Sequence, residues 1–350
     1  KILEERRLAS PDVEGLLKKE TWTDEERTAI SAYLDALLPY FERIEELPER
    51  HAWRVEPDPM SKLDATKAVG WLEEAKSYLI WRAQFDAKEA GRTDRVAKAA
   101  VLLIDLSDDC PIPMVLGYAV RNGLRGRSVA EILRIGMRQK GFNAGLFRRL
   151  VEPRLLRAMP ERGPPRPVCV GERVFAIAAL DAVGNGSVDA PSFARAPTFF
   201  GAPAFYGDAI RLLDLDAYVI DHADVLPSEA SPVADGIRSR FGDKRYPMTA
   251  DSASLWALVF EEFPRQVAVM RLVLVAMAVL EFNQREWLWQ NDVDAEGKMP
   301  EDPYSGKPFV FERIPHGCRI RCAKEGPFEN LEKDFLAWTF LDEELKGMQR

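Results

Sequence analysis

Histidine and cysteine are scarce in this chain: three and four residues respectively among 350. That scarcity limits metal chemistry, because a zinc site needs three or four converging ligands of these types. Cys318 and Cys322 are separated by three residues, which is not the CxxC spacing of a zinc knuckle, and no histidine pair accompanies them. Cys110 and Cys169 read either as small buried residues or as a disulfide in an oxidising compartment, with the buried reading preferred. The serine-nucleophile signature G-x-S-x-G, the P-loop and a G-x-G-x-x-G turn are all absent. No surplus of positive charge exists either. The formal net charge is −8 and the basic residues interleave with acidic ones, so nucleic acid is excluded as the expected partner. The apolar stretch Val267–Phe282 contains Arg271 and falls short of the roughly 20 residues a membrane crossing requires, so it reads as a core helix.

What is abundant is helical periodicity. Thr23 and Glu26 form a capping-box pair, followed by Ile30, Leu34, Leu37, Leu38, Phe41 and Ile44 at helical spacing, which predicts a helix from Asp24 to Leu47. His51 to Met60 then reads as a loop. Leu63–Ala90 is a second long helix with Trp71, Leu72, Ala75, Leu79, Arg82 and Phe85 on its buried stripe, closed by Gly91. Helices at Arg92–Leu106, Ile112–Asn122, Ser128–Arg138 (capped by Ser128 and Glu131) and Asn143–Arg157 continue the series. Pro160–Pro167 marks a boundary, Gly171–Val183 is helical, and Gly184–Pro203 is a long Gly/Pro-rich loop. Helices at Ala204–Ala223 and Val233–Phe241 precede one capped by Asp251. Pro264 breaks or kinks that helix before a long one over Arg265–Trp289.

The tail differs. Phe309–Arg313 and Cys318–Cys322 alternate in β fashion about Pro315-His316-Gly317, the pattern of a hairpin. The expected fold is therefore mainly α: an irregular helical-hairpin, solenoid-like body with a small C-terminal module of one long helix plus a β-hairpin. Its segments are 1–160 (helical body), 161–250 (helices around the long loop) and 251–350 (long helix and hairpin).

The densest polar constellation is Asp221-His222-Ala223-Asp224, with Asp214 and Asp216 one to two turns earlier. A histidine beside carboxylates can serve as a base or metal ligand. The preferred reading is an acidic, exposed helix end. His51 and His316 have no sequence partners. Gly184-Asn185-Gly186 reads as a turn. The run from Asn291 to Gly297 has the alternating acids of a calcium loop, but position twelve counted from Asp292 is Pro303 rather than glutamate. Phe282, Trp287, Trp289, Phe309 and Phe311 read as core between the long helix and the hairpin. No metal and no cofactor is implied.

The most specific string is Met299-Pro300-Glu301-Asp302-Pro303-Tyr304-Ser305-Gly306-Lys307-Pro308-Phe309-Val310-Phe311. Asp302-Pro303 starts a turn, Ser305-Gly306 supplies a positive φ, and Pro308 leads into the strand. This string resembles the P-x-D-P-[FY]-[ST]-G-K-P segment that ends a family of uncharacterised bacterial envelope proteins with an N-terminal anchor and a helical body. It is also similar to the end of type II secretion major pseudopilins. The helix–turn–helix series over Arg95–Leu156 and the Gly171-Glu172-Arg173 element fit the envelope family loosely. The pseudopilin calcium loop is not matched, since Lys324–Asn330 keeps one glycine and Arg321–Gly326 replaces the usual serine–glycine–aspartate stretch, so no calcium site follows.

The resemblance implies Pro300, Asp302, Pro303, Gly306, Lys307 and Pro308 as a structural motif. It also implies a non-enzymatic, envelope-associated scaffold or protein-interaction protein, outside the cytoplasmic membrane and anchored to it, with a protein partner. The chain begins at Lys1 rather than Met, which points to an upstream segment such as a signal or anchor, the one expected membrane link. The alternatives are a subunit of a larger assembly, an enzyme using Asp221, His222 and Asp224, and a cytoplasmic location.

Overall fold

The computed structural model describes residues 12–19, 21–50, 62–89, 92–108, 115–139, 141–184, 202–284, 301–323 and 336–341. The chain is mostly helical with a small C-terminal antiparallel sheet. The helices are α1 (Val13–Leu17), α2 (Asp24–Arg50), α3 (Lys62–Lys88), α4 (Thr93–Asp108), α5 (Val115–Gly123), α6 (Val129–Met137), α7 (Ala144–Ala158), α8 (Arg166–Gly184), α9 (Ala202–Asp221), α10 (Ala230–Phe241) and α11 (Pro247–Gln284). The strands are β1 (Val310–Ile314), β2 (Gly317–Arg321) and β3 (Ala337–Leu341), in the order β1-β2-β3.

Several local signals act as their chemistry dictates. The Thr23–Glu26 box closes reciprocally: Glu26 N donates to Thr23 Oγ1 (3.2 Å) and Thr23 N donates to a Glu26 carboxylate oxygen (3.0 Å). Asn143 caps α7 through its side-chain oxygen, which accepts from Leu146 N at 2.8 Å. Leu72, Ala75, Leu79 and Phe85 of α3 are buried as their spacing predicts. Trp22 stacks on Phe85 at 5.5 Å, and Lys88 lies over the indole.

Helix boundaries are where the expectations need correcting. Ser128 does not cap a new helix. A π-helical turn, Leu124–Ser128, joins α5 directly to α6, and Ser128 sits at φ −70, ψ −37 with no capping bond. Gly126 faces α11 so closely that a Cβ there would lie 2.7 Å from Gln266 Oε1. Pro264 does not interrupt α11, which is continuous from Pro247 to Gln284, and Asp251 lies inside it rather than at its cap. An interior proline costs roughly 3 kcal/mol. Here the flanking Phe260, Phe263, Val267 and Ala268 are all essentially fully buried, and that burial offsets the loss. α2 runs past Leu47 to Arg50, and α8 begins at Arg166 with Pro167 in its first turn, where proline is tolerated. Gly91, the His51–Met60 loop, the 185–201 part of the long loop, the acidic run 291–297, Trp287 and Trp289 lie outside the described residues.

Two apolar clusters share α11. The first gathers α1–α4, α6, α7, the C-terminal half of α11 from Ala268 to Leu280, and the sheet. The second gathers Tyr118 of α5, Val168 and Cys169 of α8, Leu212, Leu215 and Val219 of α9, the inner side of α10, and Ala253–Val267 of α11. By length and composition Pro247–Glu281 could cross a membrane, but 78% of its apolar window is buried inside the protein, which is the position of a core helix.

Tertiary contacts also start α11. Its first turn is capped by another helix: Asp208 of α9, itself buried, accepts from Met248 N and Thr249 N at 3.0 Å each and from the Thr249 hydroxyl at 2.6 Å.

The expected hairpin forms, pairing Val310 with Arg321 through Ile314 with Gly317, and β3 adds a third strand that the sequence reading missed. At the turn, Pro315 and then His316, with φ of +64, follow the two-residue pattern of a type II turn. Phe309 and Phe311 pack into or against the first cluster, as the core reading expects. Cys318 of β2 and Cys322, one residue past the end of that strand, are both buried. Four residues of extended strand separate their Cα atoms by roughly 13 Å, too far for a disulfide.

Candidate functional site

Within the motif, residues 301–308 build a corner that lies beside α11 and leads into the sheet. Pro300 lies outside the described residues. Asp302 is fully buried, and its carboxylate accepts from Tyr304 N (3.0 Å), the Ser305 hydroxyl (2.9 Å) and Ala323 N (2.9 Å). Its backbone closes the loop: Asp302 N donates to Lys307 O at 2.7 Å, and Gly306 N donates to Asp302 O at 2.8 Å. Gly306 takes φ +62, the positive value read from Ser-Gly. Pro303 is buried, whereas Lys307 and Pro308 are exposed, with Pro308 bridged to Glu301. Arg271 of α11 donates to the Glu301 carbonyl at 2.6 Å, fastening the corner to the core helix. Burial first, and then the Asp302 carboxylate, push the Cys322 thiol well above its ordinary range, so it stays protonated. Two of these carboxylate bonds order backbone N–H groups, those of Tyr304 and Ala323. The corner is a joint.

Asp221, His222 and Asp224 do not converge. Asp221 and Asp224 are exposed at the end of α9, and the half-buried His222 donates Nδ1–H to the Tyr218 carbonyl at 2.8 Å. Its ring lies 4.1 Å from that of Tyr218, on whose face Arg240 also sits. Asp224 adopts φ +59, and its N donates to Pro164 O (3.2 Å), while Gly163 N donates to Val225 O (2.7 Å). The group caps a helix and pins the 163–164 segment to it, as residues at helix C-termini do. Among the described residues no set of three His, Cys, Asp or Glu side chains is placed to hold a metal.

Asp214 is exposed, but Asp216 is not. Asp216 of α9 is 2% exposed, and its Oδ2 has no hydrogen-bond partner. Burial, followed by the Glu172 carboxylate of α8, raises its pKa to about 7, with Arg173 pulling the other way. Cys169 of α8 is a free thiol whose pKa is pushed up to about 12, by burial first and then by Asp224, Asp216 and Glu172; Cys110 lies outside the described residues. The buried Tyr118 hydroxyl of α5 also lacks a partner. The sequence groups Asp216 with the acidic helix end and reads it as exposed, because an aspartate amid an acidic helix looks solvated; the structure buries it. The usable signal was its position one residue after Leu215 and three before Val219, on the apolar side of α9.

The second feature missed from sequence is the outer part of α8. From Val174 to Leu180 the chain reads Val-Phe-Ala-Ile-Ala-Ala-Leu, yet every residue from Gly171 to Asp181 is half-buried or exposed. Val170, Val174 and Ile177, spaced i, i+4 and i+7, form its exposed stripe, with Val174 at 54% and Ile177 at 48%. Tyr206 and Ile210 make another exposed pair on α9, the helix against which α8 packs. Solvent-facing helix surfaces are ordinarily charged, so an apolar run of this kind is unusual on an outer helix face.

Comparison with protein-family models, with curated proteins and with solved structures gives no match.

Proposed function

We propose that the protein is a non-enzymatic scaffold that binds a protein partner through the outer face of α8. The observation that carries this reading is the apolar run Val174–Leu180, in which no residue is buried. Covering valine and isoleucine side chains contributes about 25 cal/mol per Å² of apolar surface, and a partner helix or groove could supply that cover. The test is a photo-crosslinking amino acid at Val174 in the full-length gene product, expressed in its native host. A discrete adduct is expected at Val174 and none at exposed Glu161; equal labelling at both positions, or none, would overturn the reading.

The envelope location rests on the likeness of the 299–311 string to the ends of envelope proteins, and it implies an apolar segment encoded upstream of Lys1. Membrane fractionation of the full-length product tests it: recovery in the cytoplasmic fraction would refute it. A subunit role in a larger assembly draws on the same apolar face. Light scattering of the isolated chain separates self-association, which would cover the stripe with a second copy, from binding to a different protein.

A further inference from the structure

Asp216 is buried on α9, the helix against which α8 packs. α8 is held to the second cluster by Val168 and Cys169 and by the partly buried Ala176 and Leu180. The carboxylate of Asp216 is buried in this contact, without a partner for Oδ2. The charges that act on it from α8 are those of Glu172 and Arg173, and the buried Cys169 thiol of α8 lies in the same apolar cluster as the neighbouring Leu215. α10 and α11 contribute apolar side chains to the same cluster, among them Val233, Ile237, Trp256 and Phe260. α5 contributes Tyr118, whose hydroxyl is also unpartnered. An uncharged carboxylic acid fits such a site, whereas a carboxylate would sit there desolvated and beside Glu172. Swinging α8 outward is the movement that lets water reach it.

We propose that Asp216 is a proton-operated latch for α8: protonated, it lets α8 seat on α9, and ionised, it favours the lifted helix.

The sign follows from the acid being weaker in the seated state, at about 7, than in water, at 3.8. The seated form holds the proton across that interval, so α8 opens more as pH rises. The opening constant grows about tenfold per pH unit from about 4 to 7 and levels off above 7. The latch is independent of what binds the outer stripe, because it concerns the inner contact of α8.

Hydrogen exchange of the full chain, followed by mass spectrometry from pH 5 to 8 and corrected for the intrinsic pH dependence of exchange, reads it out. Peptides from 166–184 should lose protection about tenfold per unit up to pH 7 and then plateau, while peptides from α4 stay level. In Asp216→Asn the α8 slope should vanish. Glu172→Gln, a change at a half-exposed position, should lower the plateau midpoint, and Arg173→Gln should raise it. A flat wild-type α8 profile, a slope retained in Asp216→Asn, or midpoints unmoved by both α8 variants would each overturn the latch. The α8 variants decide the matter even if Asp216→Asn does not fold.

Discussion

Each of the two apolar clusters surrounds a buried aspartate, and the two are treated in opposite ways. Asp86, in the first, is fully buried on α3. Arg82 holds it with Nε at 2.8 Å from Oδ2, and Arg92 and Arg95 approach Oδ1 at 3.4 and 3.7 Å. Burial works against the Arg82 charge, but Asp86 and Asp35 outweigh it and raise its pKa. Asp216, in the second cluster, has one arginine in its field and a second carboxylate opposing it. A buried charge that is paired locks its neighbours, whereas one left without a partner makes its surroundings responsive to pH. The first cluster is built for permanence. The second carries α8 with its exposed apolar run.

The largest expected effect comes from breaking the paired site. Asp86→Ala should cost about 3–5 kcal/mol in denaturant unfolding, since it leaves three arginines around an empty buried position. The unpaired site should respond in the opposite direction: Asp216→Asn should stabilise the protein. Because the wild-type group is neutral only at lower pH, the gain should grow by roughly 1.4 kcal/mol per pH unit from 5 to 7 and level off above 7, which melting curves across that range would reveal. A constant gain would mean that Asp216 does not titrate there.

Smaller effects sharpen the same contrast. Asp208 lies in the second region but accepts three hydrogen bonds from the first turn of α11, so Asp208→Ala should cost about 1–2 kcal/mol by uncapping that helix, measured in denaturant unfolding. Substituting Ile177→Ser on the outer face of α8 should change stability by less than about 0.5 kcal/mol, while abolishing the Val174 crosslink. A large loss of stability there would show that Ile177 serves the core instead.

Much of the helix inventory was legible because its signals are short-range. The Thr23–Glu26 box, the stripe of α3 and the Asn143 start of α7 each need only neighbours within a turn or two. The Asp-Pro and Ser-Gly elements of the 302–306 corner were legible for the same reason, although its purpose was not: Ala323 N, the distant partner of Asp302, cannot be inferred from turn chemistry. β3 was missed because Ala337–Leu341 is a short apolar stretch whose identity as a strand depends on β2 beside it. The polar group at 221–224 was visible but its geometry was not, since the backbone carbonyl of Tyr218 took the histidine.

Composition, periodicity and capping thus determined a mainly helical chain with a small β-rich tail, because helix formation is governed by contacts within four residues. Tertiary packing decided the continuity of α11 through Pro264, the π turn against Gln266 and the pairing of Asp86. It also decided the isolation of Asp216 and the exposure of α8. Each of these depends on which distant surface arrives beside a residue, and the free energy of a proline, a glycine or a buried charge is set by that neighbour.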